Sequence, residues 1–207
     1  MVLESQETDL LNERRTENVR NLAAWIFKNY PYSDAVTPLK FQKLFFYCYG
    51  ALLAFDLEHE IGSEIKFEPW EHGPVNDDLY QLLKSKGSSP IGASDFGNRP
   101  VREYSAQASK VLRNTLKIYG AMGAWSIRNQ THREQPWRFA FDNQHQTIDP
   151  VGLKKYFKAK WSTGSVTAPE FIFGLSSFRI DGIPVQNYSS LDELAKAVDR
   201  VTKNKTQ

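Results

Sequence analysis

The sequence of 207 residues has few of the residues that mark catalytic or metal-binding sites. Its single cysteine, Cys48, cannot form an intramolecular disulfide, and the apolar and aromatic residues around it are typical of a buried thiol in a reducing compartment. The four histidines lie 13 or more residues apart without a companion cysteine, which argues against a zinc site. A phosphate-binding loop, a dinucleotide-binding glycine motif and a serine nucleophile elbow are also lacking. We therefore expect no metal and no cofactor.

Long apolar runs are absent as well. No stretch approaches the roughly 20 apolar residues that cross a bilayer. The first 20 residues have neither the apolar centre of a secretion signal nor the acid-poor composition of a mitochondrial transit peptide. These absences predict a cytoplasmic protein that has no membrane partner.

The net charge is close to zero but unevenly distributed. The chain has 26 Lys and Arg against 24 Asp and Glu, a formal charge of +2. Residues 1–80 contain 7 basic and 14 acidic residues, whereas residues 110–160 contain 10 basic and 3 acidic residues. Within the basic segment, Lys154, Lys155 and Lys158 share one short predicted helix with aromatic residues. Three interpretations of that helix stay open: a solvated face, a phosphate-tracking face for nucleic acid, or a surface that steers an acidic protein partner.

The spacing of apolar residues predicts a mainly α-helical fold. Helical periodicity recurs in the segments 17–30, 38–55, 75–86, 105–120, 124–134 and 150–160. Thr37 is a natural N-cap residue, and Pro38 suits the first helical position that follows it. The helix that begins there has apolar residues on most of its faces, which predicts a central buried helix.

The two ends of the chain differ from this helical part. The polar residues 1–16 predict a flexible lead. From about residue 165, β-branched and aromatic residues flank Asp181-Gly182, which predicts a β-hairpin, and a helix follows the hairpin. We therefore predict a compact helical domain over residues 17–160 and a small strand–strand–helix appendage over residues 165–207.

Two segments hold polar and aromatic groups that packing alone does not explain. Residues 68–75 include Trp70, Glu71 and His72, and residues 128–137 include Arg128, His132 and Trp137. One interpretation takes the tryptophans as core anchors beside a Gly-Pro turn. A second places both segments along one surface groove, because exposed Trp and Arg often anchor protein interfaces. A third makes one of the histidines a general base that a neighbouring glutamate orients.

Three ordered motifs resemble those of the Panacea, or SocA-like, antitoxin domain. The first is the run of residues 37–47, Thr-Pro-Leu-Lys-Phe-Gln-Lys-Leu-Phe-Phe-Tyr, with Gly50 after it. The second comprises Glu68, Trp70, Gly73-Pro74-Val75 and Tyr80, and the third comprises Trp125-Ser126, Thr131-His132 and Pro136-Trp137. Some positions depart from the family pattern, since Pro69 stands where Ala is usual and His72 where an aromatic residue is usual.

The resemblance covers about residues 17–160 and implies the antitoxin of a bacterial or prophage type II toxin–antitoxin system. Such a protein neutralises a cognate toxin by direct contact and is not an enzyme. Toxins paired with this family include enzymes that act on transfer RNA or nucleotides. A protease adaptor that delivers its partner to a cytosolic protease, another phage interaction module and a nucleic-acid-binding regulator are the alternatives. Homo-oligomerisation is left open.

The resemblance and the unexplained polar groups together define a set of candidate partner-binding residues. They are Lys40, Gln42, Lys43, Trp70, Glu71, His72, Arg128, His132, Trp137, Lys154, Lys155 and Lys158.

Overall fold

The computed structural model of the chain describes residues 2–31, 35–97 and 99–162 and confirms the mainly α-helical class. Within those ranges the helices are α1 (Val2–Asn29), α2 (Pro38–Ala54), α3 (Asp77–Leu83), α4 (Ala106–Gly120), α5 (Ala124–Thr131), α6 (Gln135–Asp142) and α7 (Pro150–Ser162). The strands β1 (Glu68–Trp70) and β2 (Gly73–Val75) form an antiparallel hairpin between α2 and α3. Each helix of the described part is too short or too polar to span a bilayer. The predicted appendage at 165–207 lies outside the described residues.

Helix α2 forms the centre of the fold, as predicted. Its N-cap is Thr37, whose side chain accepts a hydrogen bond from the Lys40 amide, and Pro38 occupies the first turn. Every residue from Phe41 to Leu53 is buried. Helices α4, α5 and α7 pack around it. Apolar residues on all faces of α2 are explained by this arrangement, because each face has a neighbouring element to cover it.

Helix α1 is longer than the sequence suggested. Its second half buries Val19, Leu22 and Ile26 at helical spacing. Residues 2–16, for which the sequence predicted a flexible lead, instead form the first half of the same helix. They carry no apolar stripe, but they are rich in good helix formers, and a helix that packing has already nucleated extends at little cost. Arg15 also pairs with Asp78 of α3 at 2.9 Å.

The hairpin is tied to α2 by a pair of side chain–backbone hydrogen bonds. Gln42 donates to the Asn76 carbonyl at 3.0 Å and accepts from the Asn76 amide at 3.1 Å. The Asn76 side chain in turn accepts from the Leu79 amide at 2.9 Å and so caps α3. These bonds fix the position of β2 relative to α2.

Helix α7 approaches α2 closely at Gly50. Its apolar face consists of Leu153, Phe157 and Trp161, all buried. A Cβ atom built on Gly50 would lie 2.4 Å from the Phe157 ring. Only a residue without a side chain therefore allows α7 to pack at this depth.

We predict that Gly50→Ala lowers the free energy of unfolding by about 1–3 kcal/mol, because the added methyl forces Phe157 out of its packed position. Alanine is the better helix former, so propensity alone would predict a gain. Urea unfolding of both proteins measures the difference. Gly123→Ala is the control for a methyl added in open space, because the nearest atom to a Cβ there is the Ser126 hydroxyl oxygen, at an ordinary contact distance of 3.8 Å. Equal stability of Gly50→Ala and wild type would contradict the packing described.

Candidate functional site

Five exposed side chains around the β1–β2 turn form what we call the turn surface: Trp70, Glu71, His72, Tyr80 and Trp125. The Trp70 and Tyr80 rings meet edge to face with centroids 4.8 Å apart, and the His72 and Trp125 rings do so at 6.4 Å. Among Trp70, Tyr80 and Trp125, Trp125 is the most exposed, at 64%. The surface therefore presents aromatic rings from the hairpin, α3 and α5 side by side.

The second polar segment, residues 128–137, forms hydrogen bonds to the backbone of the turn surface. Trp137 of α6 donates its indole N–H to the Trp70 carbonyl at 3.1 Å, and Arg128 of α5 donates to the Glu71 carbonyl at 3.3 Å. The His132 ring lies against the Trp137 ring with centroids 4.0 Å apart. The two segments that the sequence singled out are therefore adjacent. Trp137 is buried and acts as a core anchor, whereas Trp70 is exposed.

The turn itself requires a glycine. Gly73 has φ of +93°, a conformation that costs other residues strain. A Cβ atom on Gly73 would also lie 2.6 Å from the hydroxyl oxygen of Thr131, which is completely buried beneath it. The Gly-Pro-Val motif of the hairpin and the Thr-His motif at the end of α5 are therefore in direct contact.

A cavity of about 420 Å³ opens beside the turn surface. Its lining comprises Pro38, Leu39, Gln42, Lys43, Trp70, Glu71, His72, Val75, Tyr80, Leu83, Lys84 and Gly87. The wall is mostly apolar, and the exposed rings of Trp70 and Tyr80 stand at its edge. Five of the predicted partner-binding residues meet here.

Lys43 is the unusual residue of this cavity. It is fully buried, at 0% exposure, and donates to the Pro74 carbonyl at 2.8 Å. Burial, and to a smaller extent the charge of Arg128, lower the pKa of its amine to about 7. Within the described ranges no carboxylate forms an ion pair with Lys43 or Arg128.

His132 belongs to the same basic group. Burial lowers the pKa of its imidazole to about 4, and the charges of Arg128, Lys43 and His72 act in the same direction. Its Nε2 atom is buried, and no hydrogen-bond partner for it is found in the part of the chain described. We call Lys43, Arg128, His132 and His72 the basic cluster.

The catalytic interpretation required a histidine oriented by a neighbouring glutamate. Among the described residues, neither His72 nor His132 makes a hydrogen bond to a carboxylate. Burial raises the pKa of the Cys48 thiol, so this residue is not an activated nucleophile. Among the residues that the structure describes, this site therefore offers binding groups and no nucleophile–base pair.

Lys40 and Gln42 act within the fold. Lys40 donates to the Gly120 carbonyl at 2.9 Å, at the end of α4, and does not line the cavity beside the turn. Gln42 lines that cavity, but its amide is used in the two bonds to Asn76.

The three candidate lysines of α7 lie at a separate place. Lys154 and Lys158 both pair with Asp56 at 2.7 Å, and Lys154 also pairs with Glu58. The two lysines hold the pKa of Asp56 at about 2. With Lys155 they border another cavity, of about 660 Å³. Acidic residues from the first 80 positions therefore neutralise part of the basic helix.

Glu134 belongs to the second polar segment, but its burial was not predicted from the sequence because a charged residue next to a turn is usually solvated. The residue is 1% exposed and accepts hydrogen bonds from Tyr47 at 2.7 Å, from Tyr156, and from Lys160 at 2.7 and 2.8 Å. Burial and the Glu134 carboxylate both raise the pKa of Tyr47, which keeps its hydroxyl a donor. This cluster joins α2, α6 and α7.

Trp125 was also missing from the predicted site, although a signal existed. It precedes the buried Ile127 by two positions, which on a helix is nearly the opposite side. Its exposure follows from that spacing. Tyr80 was noted only as part of a motif.

A comparison with protein families finds a match in the central part of the chain. Residues 41–138 match the family model described as antitoxin SocA-like, Panacea domain. The match runs from α2 into α6 and includes the turn surface and the basic cluster, whereas the α7 lysines lie outside it. It confirms the resemblance for these residues. No curated protein and no solved structure matches the chain.

We predict that Glu134→Gln lowers the free energy of unfolding by about 2–3 kcal/mol, because it leaves the partly buried Lys160 without its countercharge. Denaturant unfolding at neutral pH measures the loss. Glu103→Gln is the control, since the pair of Glu103 with Lys28 is largely exposed and its removal should cost less than about 0.5 kcal/mol. Equal losses in the two variants would contradict the assigned role of Glu134.

We also predict a pH dependence of stability that arises from His132. Because folding lowers its pKa from 6.5 to about 4, the unfolded chain binds the proton more tightly than the folded one. The stabilisation is complete above pH 6.5 and is lost as the pH falls toward 4. The midpoint of thermal unfolding should fall less steeply over this range in His132→Gln than in wild type. The exposed His145 serves as the control, and a His145→Gln slope as shallow as that of His132→Gln would contradict the assignment.

Proposed function

We propose, from the antitoxin SocA-like, Panacea domain at residues 41–138, that this protein is the antitoxin of a bacterial or prophage type II toxin–antitoxin pair. In this role it acts in the cytoplasm and neutralises a cognate protein toxin by direct, non-enzymatic contact. The toxin is an enzyme that acts on transfer RNA or nucleotides.

The observation that carries the proposal is the turn surface within the matched domain. Trp, Tyr and Arg supply most binding energy in protein interfaces because their large side chains lose much water-exposed area on contact. The turn surface presents the exposed rings of Trp70, Tyr80 and Trp125, and grouped exposed apolar side chains mark interaction sites more often than scattered ones do.

The rigidity of this surface supports the same role. The Trp70 and Glu71 carbonyls are each held by a side chain from a helix, and Gly73 packs onto Thr131. A surface that is already ordered loses little conformational entropy on binding, so more of the contact energy appears as affinity. We therefore place the toxin contact on the turn surface.

Two alternative functions receive less support. A protease adaptor would use the same surface, but it additionally requires that the half-life of the partner depend on this protein. Nucleic-acid binding would use the basic helix α7. Lys154 and Lys158 already pair with Asp56 and Glu58, which reduces the charge available to phosphates.

Co-expression with the product of the adjacent open reading frame tests the proposal. If that product is toxic, wild-type protein should restore growth and Trp125→Ala should restore it poorly. We expect Trp125→Ala to weaken binding of the purified toxin about 30-fold, which corresponds to roughly 2 kcal/mol.

Phe139→Ala is the matched control. Phe139 is similarly exposed, at 58%, but lies two positions from the buried Trp137 and hence on the opposite side of α6. We expect it to neutralise like wild type. A harmless neighbouring product would contradict the antitoxin role, and full neutralisation by folded Trp125→Ala would contradict the assigned surface.

A further inference from the structure

The cavity beside the turn surface is suited to an apolar group. Its apolar lining residues are Pro38, Leu39, Val75 and Leu83. The exposed rings of Trp70 and Tyr80 extend this apolar surface at the edge. The volume of about 420 Å³ lies in the range of roughly 300–1,000 Å³ that is usual for binding pockets. Water in such a cavity finds few polar partners, so an apolar group that displaces it is favoured.

The polar side chains deeper in the lining already form hydrogen bonds inside the protein. Gln42 uses its amide in the two backbone bonds that tie α2 to the hairpin. The amine of Lys43 is completely buried and donates to the Pro74 carbonyl at 2.8 Å. Lys84 is exposed and donates to Gln81 at 2.6 Å. A polar group that enters the cavity would therefore lose bonds to water without gaining equivalent ones.

The cavity is continuous with the turn surface. Four residues belong to both, namely Trp70, Glu71, His72 and Tyr80. Glu71 and His72 are exposed on the turn, where water solvates them. All lining residues except Pro38 and Leu39 lie within the matched antitoxin domain. A protein that binds the exposed rings of the turn surface therefore also covers the mouth of the cavity.

We propose that the cavity beside the turn surface receives one apolar, preferably aromatic, side chain of the bound toxin. The toxin as occupant rests on the proposed function, whereas the apolar character of the side chain rests on the cavity lining. The rings of Trp70 and Tyr80 already meet edge to face, and a third ring can pack against them with the same geometry. A side chain that fills a pocket from which water is excluded contributes much of the affinity of an interface.

The first experiment uses no toxin. Benzene is an apolar probe, and pyridine has the same shape but carries a ring nitrogen that accepts a hydrogen bond. In protein with ¹⁵N-labelled tryptophan, the indole N–H signal of Trp70, assigned with Trp70→Phe, should move as benzene is added. Pyridine should bind at least about tenfold more weakly, because its nitrogen loses a bond to water in the cavity. The signal of Trp125, which is exposed but does not line the cavity, is the internal control and should stay in place.

The second experiment closes the cavity from two different helices. Lys84→Trp adds a ring at the end of α3, and Leu39→Trp adds one in the first turn of α2. Each variant should abolish the Trp70 response to benzene and weaken binding of the purified toxin at least about tenfold. Lys84→Gln and Leu39→Met leave the cavity open and should bind the toxin like wild type. Circular dichroism checks that all four variants are folded.

Several results would overturn the apolar site itself. They are equal responses of Trp70 and Trp125 to benzene, equal binding of benzene and pyridine, and a Trp70 response that survives in both tryptophan variants. A lack of any Trp70 response in the free full-length protein would do the same, because the chain itself would then close or fill the cavity. A response that weakens as the protein concentration rises would assign the cavity to a second copy of the chain instead.

The toxin as occupant is tested separately from the antitoxin role. A tryptophan variant that loses the benzene response but keeps wild-type affinity for the toxin would overturn the occupant, while neutralisation by wild type would still support the antitoxin. Failure of wild type to neutralise the adjacent product, with the benzene response intact, would overturn the proposed function and with it the toxin as occupant, but not the apolar preference of the cavity.

Discussion

Helix α2 must be covered on every side, and the rest of the described fold follows from this constraint. Its residues from Phe41 to Leu53 are buried, so α4, α5 and α7 each occupy one of its faces. Two tight contacts determine how closely α7 and α4 approach α2. The Phe157 ring of α7 packs directly on Gly50, and the Tyr119 ring of α4 stacks on Tyr47 with centroids 3.7 Å apart. Helix α5 also packs against α2, so that one side of it is buried and the opposite side presents Trp125 to solvent.

The first turns of α2 connect this packing to the binding site. Gln42 and Lys43 point toward the hairpin and both bond to its backbone. Gln42 is satisfied by the two Asn76 bonds, which makes it a structural tie. Lys43 is not, since its charge meets further basic groups and its neutral form is already populated near pH 7. A residue type that is unfavourable for packing at its position often marks a functional site. Lys43, a charged residue buried in a mostly apolar helix, is such a residue.

Most helices could be predicted from the sequence because their apolar spacing is strong and their ends carry recognisable residues, such as Thr37-Pro38 before α2. Adjacency of the two Trp-containing segments was one of three interpretations that the sequence left open, and the hydrogen bonds from Trp137 and Arg128 to the hairpin bring the segments together. Burial of Lys43 and Glu134 could not, because a charged residue in a helix pattern is usually solvated and its depth depends on contacts distant in sequence. The same limit applies to Lys154 and Asp56, which meet although about a hundred positions separate them.

We propose that the toxin binds to the turn surface, around residues 68–76, and to the exposed side of α5. Hydrogen–deuterium exchange of the protein alone and in complex with its toxin tests this claim residue by residue. Slower exchange in the complex should be concentrated at residues 68–76 and 124–131, while α1 and α7 exchange as in the free protein. Protection of α1 or α7 without protection of residues 68–76 would contradict it.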